Sequence, residues 1–361
     1  MILHDEPNLM TVALNKLRKN NRPVILFGAS LCGSEYMRLL EKNGIDVYCF
    51  VDDDEEKQKK FFCGKQVVSV KALKSLLNSQ EKVYDVVISS YGPDKLYRRL
   101  MEVMPEYSER IHVVDFYLYE NGLDYFRYFT EHKDEVQKAQ TLLSDDKSRS
   151  VFKNLLQYKI SRNRYLIEEI QDDTSLQYFD ETIMCFSDEE IFLDLGAYNG
   201  DTIAAFVKAT NNCYKKIIAI EPDKENYNKL LLNVKKLPNV ECHLCGVSEK
   251  DGMVHFRSDA LWTSAVDENG SESITVCSVD SLTDGNRITF LKADIEGLET
   301  SMILGAKETI TRYKPKLAIA VYHRKEDIFR LINMINEYNR DYKFYLRHYT
   351  EMPIDTVLYA V

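Results

Sequence analysis

Long apolar runs are missing from this 361-residue sequence, and so is a segment with the composition of a secretion signal. A bilayer-spanning helix needs about 20 consecutive apolar residues, and a signal peptide joins a basic region to an apolar core. An excess of positive charge is also missing, because 47 Lys and Arg stand against 57 Asp and Glu, for a net charge of −10. Nucleic-acid-binding proteins are more often basic. We therefore expect a cytoplasmic protein with no transmembrane segment and no nucleic-acid partner.

A second pair of closely spaced cysteines is also lacking. Among eight scattered cysteines, Cys242 and Cys245 alone have CxxC spacing, whereas zinc sites of this kind usually combine two such pairs. The pair falls in a predicted strand, so we interpret it as part of an ordinary core. Reduced thiols are the rule in a cytoplasm.

Short apolar runs alternate with helical patterns in two parts of the chain, which predicts an α/β protein with two Rossmann-like domains. We assign residues 1–118 to a small Rossmann-like domain and residues 187–361 to a second one. Residues 119–186 contain no proline and, after Gly122, no glycine. We expect this segment to be a helical linker or cap. Its aromatic residues fit an interdomain core, and a lid over substrate is the alternative.

The first domain contains a glycine turn between a strand and a helix. Gly28, Ser30 and Gly33 have the spacing of a dinucleotide-binding motif, and Asp52 lies near the position of the ribose-binding acid. The side chain of Ser30 would hinder a pyrophosphate. This half resembles the nucleotide-binding-like N-terminal domains of sugar-modifying enzymes and of some methyltransferases. Two interpretations remain open, namely a nucleotide or nucleotide-sugar site and a purely structural fold.

The second glycine turn, Gly196–Gly200, follows the apolar run Ile191–Leu195 and precedes a helix start at Asp201. Tyr198 and Asn199 stand where a pyrophosphate needs open backbone, and Asp201 would repel phosphate. Glu221 follows the next strand and can accept hydrogen bonds from both ribose hydroxyls. A cofactor with ribose and cationic groups but no phosphate fits best, and S-adenosylmethionine (SAM) is such a cofactor.

Five motifs in series resemble the FkbM family of SAM-dependent methyltransferases. They are Asp194-Leu-Gly-Ala-Tyr-Asn-Gly-Asp-Thr202, Glu221-Pro222, Lys292-Ala-Asp-Ile-Glu-Gly-Leu-Glu299, Gly305-Ala306 and Pro315 to Asp327, followed by a terminal hairpin from Leu346 to Ala360. The resemblance covers residues 186–361. It implies a class I methyltransferase sheet of seven strands with an antiparallel C-terminal hairpin. It also implies O-methylation of a sugar or natural-product hydroxyl.

The same resemblance assigns residues to the cofactor. It places Asp194, Gly196, Tyr198 and Gly200 against the amino-acid part of SAM and Glu221 against the ribose. It also places Gly246 and Val247 beside the adenine.

Three residues are candidates for catalysis. His323 follows the fifth strand of the second domain, and imidazole has a pKa suited to a general base; a hydrogen-bonded structural histidine is the alternative. Asp294 and Glu296 are two residues apart, so in extended backbone they would face the same side. A divalent metal could lie between them, although two carboxylates form a sparse site without a third ligand. Glu296 could instead cap or pair with the next helix, and Asp294 could hold substrate or the SAM amino group.

The sequence thus predicts a SAM-dependent O-methyltransferase that acts on a sugar, glycan or natural-product hydroxyl, with a nucleotide-linked acceptor included. A SAM- or nucleotide-binding scaffold without catalysis in glycan biosynthesis is the alternative. A nucleotide-sugar oxidoreductase is disfavoured because no Tyr-x-x-x-Lys pair adjoins Gly28–Gly33. We expect acceptor contacts from residues around Trp262–Ser264. The oligomeric state is left open.

Overall fold

Parallel strands alternate with helices twice along the chain, as the apolar pattern predicts. The computed structural model describes residues 2–90, 93–115, 123–257, 265–266 and 272–361. Contacts divide the chain into an N-terminal unit, Ile2–Tyr128 with Leu155–Glu169, and a C-terminal unit, Phe129–Asn154 with Ile170–Val361. Residues of the predicted linking segment 119–186 therefore occur in both units. The domain boundaries at residues 118 and 186 stay predictions.

The N-terminal unit is built on a six-stranded sheet with the strand order β3-β4-β2-β1-β5-β6. Its pairs are parallel except β3 with β4. The strands β1 and β5 are buried along their whole length, which is typical of parallel strands covered on both faces. The strands are β1 (Val24–Phe27), β2 (Val47–Val51), β3 (Phe61–Phe62), β4 (Lys65–Val68), β5 (Asp85–Ile88) and β6 (Ile111–Val113).

Helices connect these strands and continue through the middle of the sequence. The helices α2 and α3 begin at serine residues whose side chains accept a backbone N–H of the first turn. The helices are α1 (Leu9–Asn20), α2 (Leu31–Lys42), α3 (Val70–Leu77), α4 (Pro93–Val103), α5 (Tyr125–Glu131), α6 (Lys133–Leu142), α7 (Asp146–Ser161) and α8 (Tyr165–Glu168).

The C-terminal unit contains a seven-stranded sheet with the order β16-β17-β15-β14-β7-β8-β9. Its strands are β7 (Ile191–Leu195), β8 (Lys216–Ile220), β9 (Val240–His243), β14 (Phe290–Ala293), β15 (Lys316–Ala320), β16 (Phe344–His348) and β17 (Thr356–Ala360). The strand β17 is antiparallel to both of its neighbours, and the remaining pairs are parallel. The predictions of an α/β fold and of a terminal antiparallel hairpin are confirmed.

The helices of this unit follow its strands, and a small second sheet branches off after β9. The helices are α9 (Asp201–Ala209), α10 (Lys224–Val234), α11 (Val279–Thr283), α12 (Glu299–Leu304), α13 (Lys307–Tyr313) and α14 (Asp327–Tyr338). The small sheet contains β10 (Gly246–Val247), β11 (Gly252–Arg257), β12 (Ala265–Val266) and β13 (Glu272–Cys277) in the order β10-β13-β11-β12. The run Val240–Gly246 predicts one continuous strand, but β9 ends at His243. Gly246 and Val247 pair with Val276 and Cys277 instead.

Among the described residues, no helix is long and apolar enough to cross a bilayer.

Candidate active site

The turn after β7 is held against the end of β14. Gly196 has φ of +76°, and a Cβ at this position would lie 2.0 Å from the Asp294 backbone oxygen. Only glycine fits there, because other residues rarely adopt this φ and would collide with the carbonyl. Gly200 ends the turn at φ +90°. Tyr198 lies between them at φ +47° with half of its surface exposed. The predicted cofactor turn therefore touches the strand end that carries Asp294.

Glu221 follows β8 and binds the same turn. Its Oε2 accepts the backbone N–H of Tyr198 at 2.8 Å, and its Oε1 accepts that of Asp223 at 2.8 Å. The side chain is 5% exposed, and this burial raises the pKa of Glu221 to about 7. Each carboxylate oxygen has a further lone pair that can accept a hydroxyl. The position is thus compatible with ribose binding, which stays a prediction.

Asp194 lies beneath the turn and pairs with Lys292 of β14. The Lys292 Nζ lies 3.2 Å from Asp194 Oδ1 and donates to the Gly196 carbonyl oxygen at 2.8 Å. Both side chains are buried, and burial raises the pKa of Asp194 to about 6 despite the nearby ammonium. Apart from this ion pair, the Asp194 oxygens have no hydrogen-bond partner within the described ranges. The sequence analysis assigned no role to Lys292, because its ion-pair partner Asp194 is 98 positions away.

Gly246 and Val247 are buried at the start of the small sheet. A Cβ on Gly246 would lie 3.9 Å from the Pro222 side chain and 3.1 Å from Val276. These residues thus lie close to the loop that begins at Glu221. Their contact with an adenine stays a prediction.

His323 lies among three carboxylates, and we call Asp294, Glu296, Glu299 and His323 the His323 cluster. The His323 Nδ1 lies 2.9 Å from Glu299 Oε1, and its Nε2 lies 3.4 Å from both Asp294 Oδ1 and Glu296 Oε2. These carboxylates raise the pKa of His323 well above its ordinary value, although burial acts in the opposite direction. The site therefore favours the protonated ring. A protonated ring has no lone pair with which to act as a general base.

Asp294 and Glu296 both approach His323, but the extended backbone expected between them is absent. The strand β14 ends at Ala293, and Glu296 and Gly297 adopt φ of +55° and +90°. The two acids are therefore brought together by a tight turn and not by the alternation of an extended strand. Glu296 pairs with His323 and does not cap α12, whose N-cap position has no side-chain hydrogen bond.

Three contributors to this cluster had no predicted role. Glu299 is fully buried, and its Oε1 accepts the Ile295 N–H at 3.1 Å. The Tyr178 hydroxyl donates to Asp294 Oδ2 at 2.8 Å, and the Tyr322 hydroxyl donates to Asp294 Oδ1 at 3.3 Å. The position of Glu299 in the Asp294–Glu299 motif was an available signal. Tyr178 gave none, because it is 116 residues from Asp294.

Asp294, Glu299 and His323 are also the residues that could hold a metal ion. One ligand atom from each lies within 4.8 Å of the other two. This ligand set differs from the expected pair of Asp294 and Glu296. Glu299 takes the place of Glu296, and His323 is the third ligand.

The first glycine turn, in the N-terminal unit, is explained by packing. A Cβ on Gly28 would lie 2.5 Å from the Ser89 backbone oxygen, and one on Gly33 would lie 2.1 Å from the Gly28 oxygen. Ser30 caps α2. Asp52 Oδ2 accepts the backbone N–H of residue 29 and also pairs with Lys57 Nζ at 3.0 Å. The nucleotide site at Gly28, Ser30, Gly33 and Asp52 stays a prediction. The charge of its acid, Asp52, is balanced by Lys57.

The predicted acceptor contacts at Trp262–Ser264 lie outside the described residues.

Comparison with known proteins gives a family match and matches to solved structures. Residues 194–346 match the family described as the methyltransferase FkbM domain. A crystal structure of methyltransferase FkbM from Methylobacillus flagellatus KT superimposes with a TM-score of 0.79 and 23% identity, over 97% of this chain and 93% of that chain. This likeness shows the fold. No curated protein matches the chain significantly.

Two further solved structures are similar over a smaller part of the chain. Fibrillarin from Aeropyrum pernix, in complex with natively bound S-adenosyl-L-methionine, has a TM-score of 0.33 and 13% identity over 50% of this chain and 70% of that chain. A putative methyltransferase from Streptococcus mutans, in complex with SAH, has a TM-score of 0.31 and 12% identity over 55% of this chain and 96% of that chain.

Proposed function

Residues 194–346 form a methyltransferase domain of the FkbM family, and from this premise we propose that the enzyme transfers a methyl group from SAM to a hydroxyl. The acceptor class is a sugar, a glycan or a natural-product precursor. One observation supports this proposal above the others, namely the contact between Gly196 and the Asp294 carbonyl. It brings the predicted cofactor turn next to the His323 cluster. Donor and acceptor would then meet at one edge of one sheet, where ligands of open α/β sheets bind.

In this proposal the cofactor lies along the carboxyl ends of β7 and β8. Its ribose hydroxyls donate to Glu221, and its ammonium lies near the Asp194 carboxylate. Adenine lies beside Gly246 and Val247. The half-exposed Tyr198 supports this placement, because it shows that one side of the turn can be reached by a ligand from solvent.

Methyl transfer is an in-line displacement whose rate depends on positioning. The acceptor oxygen forms a bond to the methyl carbon while the carbon–sulfur bond breaks, and the electron pair remains on sulfur. The hydroxyl proton must go to a base. We retain His323 as essential but assign the proton to a carboxylate of the His323 cluster, because the three carboxylates around the ring raise the pKa of His323 and favour its protonated form. Asp294 and Glu296 are the candidates, since their side chains are 24% and 33% exposed.

Calorimetric titration with SAM and with NAD tests the cofactor assignment. We expect SAM to bind and NAD not to bind. Glu221→Gln should weaken SAM binding at least about tenfold, because a hydrogen bond to a charged group contributes about 1.5–3 kcal/mol and tenfold corresponds to about 1.4 kcal/mol. Glu225→Gln is the matched control, since Glu225 lies on α10 nearby but is exposed and pairs with the exposed Lys229. Equal SAM affinity in both variants would contradict the cofactor placement.

Transfer of the methyl group itself is tested with isotopically labelled SAM and a panel of free and nucleotide-linked sugars. We expect labelled product from at least one hydroxyl acceptor, with loss of transfer in Asp294→Asn. Binding of SAM without transfer to any acceptor would favour the scaffold alternative instead.

A further inference from the structure

We propose that the His323 cluster binds a divalent transition-metal ion through Asp294, Glu299 and His323. The inference deepens the proposed function and rests on it, because the ion would meet the acceptor hydroxyl at this edge of the sheet. The ligand set combines one imidazole with two carboxylates, which suits Mn²⁺ and its neighbours in the first row.

The spacing of the ligand atoms supports this site. One atom from each of the three residues lies within 4.8 Å of the others, and the Nδ1 of His323 lies 2.9 Å from Glu299 Oε1. Ligands about 2.1 Å from a metal are about 3 Å apart at right angles and about 4.2 Å apart when opposite. The side chains therefore need only small adjustments to surround one ion.

An unpartnered buried oxygen gives a second and independent argument. Glu299 is fully buried. Its Oε1 lies near the His323 Nδ1, but its Oε2 forms no hydrogen bond within the described part of the chain. Buried polar atoms are nearly always hydrogen-bonded, so this exception requires an explanation. A cation shared by the three residues would provide a partner for this oxygen, and the His323 ring would release its proton when the ion binds, because metal ligands must be deprotonated.

Surrounding groups orient the carboxylates in the way that metal sites require. The Tyr178 hydroxyl donates to Asp294 Oδ2 at 2.8 Å, and the Ile295 N–H donates to Glu299 Oε1 at 3.1 Å. Hydrogen bonds of this kind fix the direction of metal ligands and tune their basicity. Glu299 keeps its Oε2 for an ion. Asp294 Oδ1 also accepts the Tyr322 hydroxyl at 3.3 Å, and its second lone pair can bind an ion.

The turn at Glu296 adds a third acid, which is not a ligand. Its φ of +55° is a strained conformation for a residue with a side chain, and strain of this kind concentrates at functional sites. Glu296 is partly exposed, so it can reach the bulk solvent side of the cluster. In the reaction, the acceptor oxygen would coordinate the ion, the O–H bond would break and the proton would pass to the Glu296 carboxylate. A metal ion promotes this step by lowering the pKa of the bound hydroxyl.

Titration of the full chain with Mn²⁺, followed by electron paramagnetic resonance, tests the site directly. We expect one Mn²⁺ per chain. His323→Gln should weaken binding by at least about 100-fold, because loss of outer groups alone costs 10–100-fold. His243→Gln is the matched control, since His243 pairs with the single carboxylate of Glu241 at 2.9 Å in a partly exposed position. It should leave Mn²⁺ binding unchanged.

Two results would overturn the metal site. One is the absence of Mn²⁺ binding to the unaltered chain at millimolar concentration, and the other is equal binding by the chain and by His323→Gln. Circular dichroism checks that His323→Gln is folded. If it is not, Asp294→Asn takes its place, because Asp294 is more exposed and its loss removes a ligand from the same site.

Chelation separates this inference from the proposed function. After EDTA treatment we expect calorimetry to show unchanged SAM affinity, methyl transfer to be lost, and Mn²⁺ to restore it. Full transfer in EDTA would overturn the metal site and leave the methyltransferase assignment intact. Mn²⁺ binding without any SAM binding would overturn the cofactor assignment and leave the metal site intact.

Discussion

At the scale of single residues, Gly196 combines a backbone constraint with a steric one. We predict that Gly196→Ala lowers the free energy of unfolding by at least about 2 kcal/mol more than Gly285→Ala does, as measured by urea denaturation. Both glycines have positive φ, +76° and +68°, but a Cβ on Gly285 meets nothing within 4 Å. The control thus isolates the cost of the backbone conformation, about 1 kcal/mol. The excess at Gly196 comes from the clash with the Asp294 carbonyl. Equal losses would show that the turn can move away from β14.

His348 makes the stability of the C-terminal unit depend on pH. The ring is fully buried, and its Nδ1 lies 2.8 Å from the Thr356 hydroxyl. Burial lowers the pKa of His348 from 6.5 to about 4. The unfolded chain therefore binds a proton at higher pH than the folded chain does. Stability from this group is complete above about pH 6.5 and is lost as the pH falls towards 4.

We predict that His348→Gln flattens this acid dependence. Unfolding free energies measured between pH 7 and pH 4 should fall by roughly 3 kcal/mol less in the variant, because one pKa unit corresponds to about 1.4 kcal/mol. Parallel pH profiles for the two proteins would show that His348 is accessible to protons in the folded state.

The sequence predicted the role of a residue correctly where that residue contacts its neighbours along the chain. Gly196 and Glu221 were identified as turn and acid because their spacing follows a strand–turn–helix pattern, and both lie at the turn. Lys292 and Tyr178 were missed because each acts on a residue about 100 positions away. A single sequence does not encode such pairs as a spacing rule. His323 was found, but its protonated state was not, since that depends on three acids assembled by the fold.

At the scale of elements, the start of α7 is anchored to β16 by Arg347. This guanidinium, with 5% of its side chain exposed, lies 2.7 Å from Asp145 Oδ2 and holds the pKa of Asp145 at about 2. We predict that Asp145→Asn lowers the free energy of unfolding by roughly 2 kcal/mol. The loss is smaller than for a fully buried pair because Asp145 is about one third exposed and Asp180 remains 3.5 Å from Arg347.

Asp146→Asn provides the matched control at the next residue. Asp146 pairs with Arg149 at 2.7 Å, but its side chain is almost completely exposed, and such pairs contribute little. Urea denaturation should show no measurable change. Similar effects of both substitutions would mean that Asp145 stabilises the fold through its charge at the start of the helix, and not through its ion pair with Arg347 of β16.

Elements with a continuous apolar run were predicted with nearly correct bounds, and errors occurred where a distant partner decides the pairing. The run Ile191–Leu195 is β7. The strand predicted to reach Gly246 ends at His243 because Gly246 pairs with Val276, which lies 30 residues later in another sheet. Likewise, the chain leaves β14 before Asp294, so a period-two argument fails at Glu296. The apolar pattern ends at Ala293, and the turn beyond it depends on Gly297 packing against Arg324 and His323.

At the scale of the whole molecule, the same local plan occurs twice. In each unit a strand leads into a glycine turn, and an acid after the next strand accepts a backbone N–H of that turn, Asp52 in one unit and Glu221 in the other. The surroundings differ. Asp52 is neutralised by Lys57, whereas Glu221 has no such lysine within salt-bridge distance among the described residues and lies on the same sheet edge as the His323 cluster. A cationic, phosphate-free cofactor therefore suits the second turn.

Hydrogen exchange read by mass spectrometry can distinguish the two turns in the full chain. A ligand that binds only the folded state suppresses local opening around its site. We predict that saturating SAM slows exchange in peptides covering residues 196–200 and 221–223 and leaves peptides covering residues 28–33 and 52–57 unchanged. NAD shares the adenosine of SAM but carries a pyrophosphate, so it should protect neither turn. Protection of residues 28–33 by NAD would establish a nucleotide site in the N-terminal unit despite the lysine on Asp52. Failure of SAM to protect residues 196–200 would contradict the proposed SAM site at this turn, which Gly196 holds against Asp294.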